Sequence, residues 1–338
     1  MAEFLDRQRT PENYWRSVIL FGQNVASYKF ALAKSLIELS GREQEKVRLE
    51  DLAEPFSRHI IEHLTKAPKQ ATSSSSRFLD ACRKFAAREI GKDELIGQTA
   101  KLGFNNVTDA FHVVNRGEIP IRFFTDERKN GGGIRLTDEL FRLRGRLQFG
   151  NLPQEVEARW RLVETAWQLN VTRTALAIAV DDESLVVVRE GRRANLTSCR
   201  DALNGYQKGK CFYCFGDISV EDASEQLADV DHFLPRVLDQ LDEPLRLDGL
   251  WNLVLSCRDC NRGIDGKSSR LPNRRFLERL DIRNEFFITS HHPLRETLMA
   301  QTGESREQRV RFLKAAYSTA WEWLIHTWKP RFEYEAAF

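Results

Sequence analysis

Two Cys-x-x-Cys pairs, Cys211-Phe-Tyr-Cys214 and Cys257-Arg-Asp-Cys260, constrain this 338-residue chain more than any other feature. Each pair can present two thiolates to one metal from a tight turn. Together they complete a tetrahedral four-sulfur site, the closed geometry of structural zinc. The 42 residues between Cys214 and Cys257 exceed a simple zinc ribbon, so a folded segment must lie between the two knuckles. Six cysteines would also suit a disulfide framework in a small secreted domain. This chain instead opens on the charged MAEFLDRQRTPENYW, without the apolar core of a signal peptide. The expected location is the cytoplasm, where paired spacing reads as metal binding. A redox role for one pair would leave the second without a use. Cys82 and Cys199 read as small apolar residues. No run of 18 apolar residues occurs, which predicts no membrane span.

The segment between the knuckles carries the reactive side chains. VDHFLP (230–235) sets Asp231 beside His232 after an acidic stretch, and WNLVLSC (251–257) brings Asn252 into the second knuckle. Asn261 and Lys267 follow that knuckle. Neighbours on a regular strand point to opposite faces, so Asp231 and His232 need a bend or a strand end to converge. Pro235 is compatible with such an end. The net charge of the chain is only +2, yet charge is unevenly spread. Ten acids face two arginines over 215–248, whereas 258–279 is basic, with Arg258, Arg262, Lys267, Arg270, Arg274, Arg275 and Arg279. A charge run alone usually reads as a solvated face. Its place beside a candidate site favours phosphate contacts, here Arg262, Lys267, Arg270, Arg274 and Arg275.

CFYC, DHFLP, WNLV and CRDCNRG with a trailing lysine, in that order, resemble an HNH endonuclease domain, the ββα-metal fold in its four-cysteine variant. The resemblance covers about 198–275, under a quarter of the chain. It implies His232 as general base, Asp231 and Asn261 as ligands of a catalytic divalent ion, and Asn252 as a brace of the catalytic loop. The third signature position is Asn261 instead of His; family members with Asn there, including the HNH domain of RNA-guided DNA nucleases, are active. The chemistry is coherent on its own terms. Phosphodiester hydrolysis needs a deprotonated water, and a neutral imidazole accepts that proton at cellular pH. A hard cation, Mg2+ or Mn2+, prefers oxygen ligands and stabilises charge on the phosphoryl and leaving oxygens. Structural Zn2+ on the four cysteines and a catalytic ion on oxygen would then have separate tasks.

Elsewhere the pattern predicts helices over 11–40 and 43–65, a loop at 66–76, and helices over 77–90 and 93–103. IPIRFF (119–124), an NGGG tip and IRL (134–136) read as a hairpin; with the preceding helices this suggests a winged helix within 76–150. Val156, Trp160, Val163 and Trp167 form a core stripe. ALAIAV (175–180) and LVVV (185–188) read as a second hairpin, followed by a helix over 195–207. Ser305 and Gln308 fit a capping box, ahead of an apolar stripe through Val310, Leu313, Tyr317, Trp321, Leu324 and Trp328. HIIEH (59–63) matches an inverted zinc-protease pattern, but Phe56, Ile60 and Leu64 mark an ordinary amphipathic helix.

The expectation is an α+β chain in five parts: a helical region (1–75), a winged-helix-like segment (76–150), a connector (151–197), an HNH domain (198–280) and a helical tail (281–338). Its expected function is metal-dependent cleavage of DNA. The alternative is a zinc-stabilised DNA-binding module that does not cut. Long flanks around a small nuclease domain suggest, by analogy alone, an effector in bacterial anti-phage defence with protein partners.

Overall fold

The computed structural model describes residues 9–338 except 22–25, 43, 72–74, 115–116, 147, 169–176, 182–183, 190–191, 241–246 and 290–293. It is a mixed helical and strand structure with small sheets, and it divides into two compact units, Gln8–Asn170 and Val171–Phe338. The division falls inside the stretch expected to be a connector. The helix Asn151–Gln168 belongs to the first unit and the strands from Ala177 onward to the second.

The first unit is built on the helix Tyr28–Ser40, in which Phe30, Ala31, Leu32 and Leu36 are fully buried. A helix buried on most of its faces belongs in a core, and its buried Ser35 and Ser40 hydroxyls are satisfied by carbonyls of their own helix. Leu49–Leu64 and Asn151–Gln168 pack around it, and Val156, Trp160 and Val163 are buried. A three-stranded antiparallel sheet places Gly133–Leu136 between Lys46–Arg48 and Phe124–Glu127. Gly133 permits that pairing, because a Cβ there would lie 2.0 Å from the Val47 carbonyl oxygen. The hairpin strand begins at Phe124, not Ile119, and a helical turn, Arg128–Gly131, occupies its tip. Since one strand of the sheet comes from 46–48, the segment 76–150 is not a self-contained winged helix. Tip residue Arg128 is held internally, 2.6 Å from Asp109 and 2.8 Å from Asp126.

The HIIEH histidines serve packing. His59 Nε2 is 2.6 Å from Glu38, and the His63 ring stacks on Trp160 with centroids 3.5 Å apart. His63 Nδ1 lies 2.7 Å from Glu164 and Nε2 lies 3.1 Å from Glu157. Burial opposes a charge on His63, but the two carboxylates outweigh it and its pKa is raised above 6.5.

In the second unit, strands Ala177–Asp181, Ser184–Arg189 and Arg192–Ser198 form an antiparallel sheet. Residues 195–198, expected to open a helix, therefore belong to a strand, and the helix is Cys199–Gln207. Asp229–His232 pairs antiparallel with Leu253–Ser256, followed directly by the short helix Arg258–Arg262. The helix Arg306–Trp323 starts in the capping box at Ser305 and Gln308. Its buried face runs through Arg309, Leu313, Ala316, Tyr317 and Ala320. Trp321 is thus exposed, and Trp328 lies beyond the helix in a strand that pairs in parallel with Leu271–Pro272. Among the described residues no helix is long and apolar enough to cross a membrane.

A group whose pKa is raised on folding stabilises most when protonated in both states, and its contribution fades as pH rises through the folded value. The melting temperature of the wild type should therefore exceed that of His63→Gln most at about pH 6, and the gap should narrow toward about pH 9. A gap independent of pH in paired thermal melts would remove the charged-imidazole account.

Candidate metal centre and active site

The four knuckle sulfurs of Cys211, Cys214, Cys257 and Cys260 lie within 4.8 Å of one another, the one such group of metal-ligating side chains among the described residues. Cys214 and Cys257 Sγ are 3.8 Å apart. That is far beyond a disulfide, and it matches the separation of about 3.8 Å between sulfurs placed tetrahedrally at about 2.3 Å from zinc. The residues fit a metal such as zinc. Local backbone geometry shapes each knuckle. Phe215 takes a left-handed φ of 60°, which turns the Gly216 N–H toward Cys214 Sγ at 3.4 Å. Cys257 is the extended residue that starts the helix Arg258–Arg262. The first knuckle also docks on the strand Leu253–Ser256, where the Phe212 N–H donates to the Leu255 carbonyl at 2.9 Å.

His232 ends its strand opposite Leu253. Its Nε2 is 3.0 Å from Asp248 Oδ1, and its side chain is 20 % exposed. Burial lowers the imidazole pKa while Asp248 pulls it up, and the net displacement is downward from 6.5. Asn252, fully buried, fastens the chain that follows His232. Its amide donates to the Leu234 and Leu247 carbonyls at 3.0 and 2.9 Å, and its oxygen accepts from the Leu234 N–H at 2.8 Å.

Asp231 has a different environment from His232. It is buried, accepts from the Tyr213 hydroxyl at 2.6 Å and pairs with Lys267 Nζ at 3.1 Å. Burial pushes its carboxyl pKa up, against the pull of Lys267 and Tyr213. A carboxylate already satisfied by an ammonium and a phenol does not fit a metal ligand in this conformation. Asn261 instead turns its amide to Asp229, Nδ2 to Oδ2 at 3.1 Å, and Arg262 reaches the other oxygen at 2.9 Å. Asn261 is half-buried, and its amide oxygen is a suitable donor to a hard cation. The hydrogen bonds thus join Asn261 to Asp229 and Asp231 to Lys267, in place of an Asp231–Asn261 pair.

The basic strip resolves into struts and exposed charges. Lys267 was expected at a phosphate, but its side chain is 1 % exposed and its ammonium donates to the His232 carbonyl at 2.9 Å. It is swallowed because the chain after the knuckle turns back, with the Lys267 N–H on the Cys260 carbonyl at 2.6 Å. Arg270 is half-buried and donates to the Gly266 carbonyl. Arg279 donates to the Phe212 and Tyr213 carbonyls at 2.5 and 2.9 Å. Arg262, Arg274 and Arg275 are exposed, and Arg275 pairs with Glu333. Asp229, Asp248 and Tyr213 escaped the sequence reading. Asp229 carried a signal, since it shares a strand face with Asp231 by the two-residue period. No family model matches this chain, and neither a curated protein nor a solved structure matches it.

Lys267→Met should leave a buried, unpaired Asp231 and destabilise the second unit by about 3–5 kcal/mol, read from a denaturant midpoint. The double variant Arg274→Ala with Arg275→Ala should leave stability within about 0.5 kcal/mol. A Lys267→Met protein as stable as wild type would return Lys267 to the surface. Elemental analysis should find zinc in the purified protein, and Cys257→Ser should lose both zinc and the folded second unit.

Proposed function

We propose that the second unit is a metal-dependent endonuclease of the HNH type that hydrolyses DNA phosphodiester bonds. The observation that carries this reading is His232 held through Nε2 by Asp248, on a strand whose partner strand runs straight into the helix bearing Asn261. With Nε2–H given to Asp248, the neutral tautomer leaves the Nδ1 lone pair free to take a proton from water. The lowered pKa of His232 keeps that lone pair available at neutral pH. The four cysteines hold structural zinc and fix the helix against the strand. A bound Mg2+ or Mn2+ would stabilise the charge that develops on the phosphoryl and leaving oxygens. On this chain Asn261 is the residue suited to hold it. Arg262, Arg274 and Arg275 contact phosphates by charge, without reading bases.

The reading of a zinc-stabilised DNA-binding module without cleavage is favoured by one observation, the neutralisation of Asp231 by Lys267 and Tyr213. Plasmid incubated with the full chain, with and without Mg2+ or Mn2+, separates the two. Nicked or linear product that needs the ion supports the nuclease, and binding without any cut supports the module.

His232→Ala should slow cleavage by roughly two to four decades while duplex binding and melting temperature hold, the usual scale for a lost general base. A base must be deprotonated to act, so the wild-type rate should rise with pH along a limb below 6.5 and then level off. Asp248→Asn removes a group that raises the imidazole pKa, and should move that limb to lower pH. A limb that stays in place would separate Asp248 from the titrating group.

A further inference from the structure

The residues after the knuckle helix, Gly263-Ile264-Asp265-Gly266, form a tight turn in which the Gly266 N–H donates to the Gly263 carbonyl at 2.8 Å. Ile264 is 105 % exposed, the largest value among the exposed large hydrophobic side chains described, against 42 % for Val237 and 85 % for Ile325. Such positions ordinarily take Pro, Asp, Asn, Ser or Gly. A β-branched apolar side chain this exposed contributes nothing to folding, because it is as wet as in the unfolded chain.

The platform beneath Ile264 is rigid. A Cβ on Gly263 would lie 2.7 Å from the Asp259 carbonyl oxygen, and one on Gly266 would lie 2.8 Å from it, so the turn is pressed against the knuckle helix. The Asp265 carbonyl accepts from Trp328 Nε1 at 2.6 Å, and its carboxylate pairs with Arg331. Arg270 donates to the Gly266 carbonyl, and the Lys267 N–H donates to the Cys260 carbonyl at 2.6 Å. The turn therefore inherits the fixation of the four-sulfur site. Exposed Arg258 and Arg262 precede it on the helix, and Asn261 lies three residues before Ile264.

We propose that Ile264 is a wedge that enters between two stacked base pairs next to the scissile phosphate, unstacks that step and bends the duplex toward His232 and Asn261. This rests on the nuclease reading of the same site. Apolar wedges, isoleucine among them, are used in this way on DNA, and unstacking costs a few kcal/mol per step. A wedge on a pinned turn loses little conformational freedom on binding, so more of its contact energy is left for deforming the DNA. The cost of opening is least at pyrimidine–purine steps, so TA and CA/TG steps should be favoured at the cut even though no side chain reads their edges.

The experiment uses the full chain and short duplexes spanning a mapped cleavage position, with 2-aminopurine placed at successive steps. His232→Ala holds the duplex uncut. Its complex should show a several-fold rise in 2-aminopurine fluorescence at one step adjoining the cut, and Ile264→Ser in the same background should abolish the rise. In the His232 background of the wild type, Ile264→Ser should slow cleavage about tenfold and flatten the preference for flexible steps. Ile264→Leu should retain both properties, and zinc content and melting temperature should match wild type in each variant. The wedge is refuted by a cutting wild type whose uncut complex shows no rise at any step. An Ile264→Ser protein with wild-type rate and cut pattern refutes it equally. A wild type that cuts no DNA overturns the nuclease reading first and the wedge with it.

Discussion

Four sulfurs within 4.8 Å of one another cannot all carry negative charge in a buried site unless a cation sits among them. The second unit depends on this constraint. A metal held there would couple its own binding to folding, since the four ligands come from both ends of a 42-residue segment. Several of the residues proposed to act on DNA adjoin that junction. Asn261 and Arg262 continue the second knuckle, and the Phe212 N–H of the first knuckle bonds the strand that pairs with the one bearing His232.

Around that junction the protein satisfies buried charge locally. Lys267 bridges the Asp231 carboxylate and the His232 carbonyl, so one ammonium ties the chain beyond the knuckle to the strand Asp229–His232. Arg283, 1 % exposed, donates to the carbonyls of Leu250, Trp251 and Leu253 at 3.2, 3.2 and 2.7 Å, and burial brings its pKa down to about 10. A buried cation that donates to three carbonyls ties the strand entry to the helix Arg275–Thr289. The candidate general base is thereby flanked by segments fixed with polar contacts, while its own ring keeps a partly open edge.

How much of this was legible in the sequence follows from which signals are local. The cysteine pairs, the capping box at Ser305 and the buried stripe of 156–163 are set by short spacing, and spacing is what a sequence displays directly. The strand alternation at 229–232 was equally local, and it already implied that Asp231 and His232 face different surroundings. Contacts made through loops were not legible. Asp248 reaches His232 from 16 residues away, and Asn261 meets Asp229 from 32 residues away. Lys267 looks in sequence like one more member of a basic strip, because no period distinguishes the cation that folds inward from those that stay wet. The final helix shows a related failure. Leu313 and Tyr317 of the expected stripe are buried, but Trp321 is exposed and Arg309, Ala316 and Ala320 complete the packed face, a small rotation that hydrophobicity alone does not fix.

The segment 327–338 lies against the knuckles and the helix before them. The Tyr334 N–H donates to the Cys214 carbonyl at 2.8 Å, and Phe338 packs on Tyr206, Phe212 and Phe215. Lys208 donates to the Ala337 carbonyl across a separation of 129 residues. Chains lengthen at about 5–20 residues per second, so this cover arrives on the order of ten seconds after the first knuckle has been synthesised. For that interval the first knuckle lacks the Tyr334 and Phe338 contacts. Shortening the chain before Tyr334 would therefore strip a hydrogen bond and an aromatic contact from the first knuckle without touching any of its sulfurs.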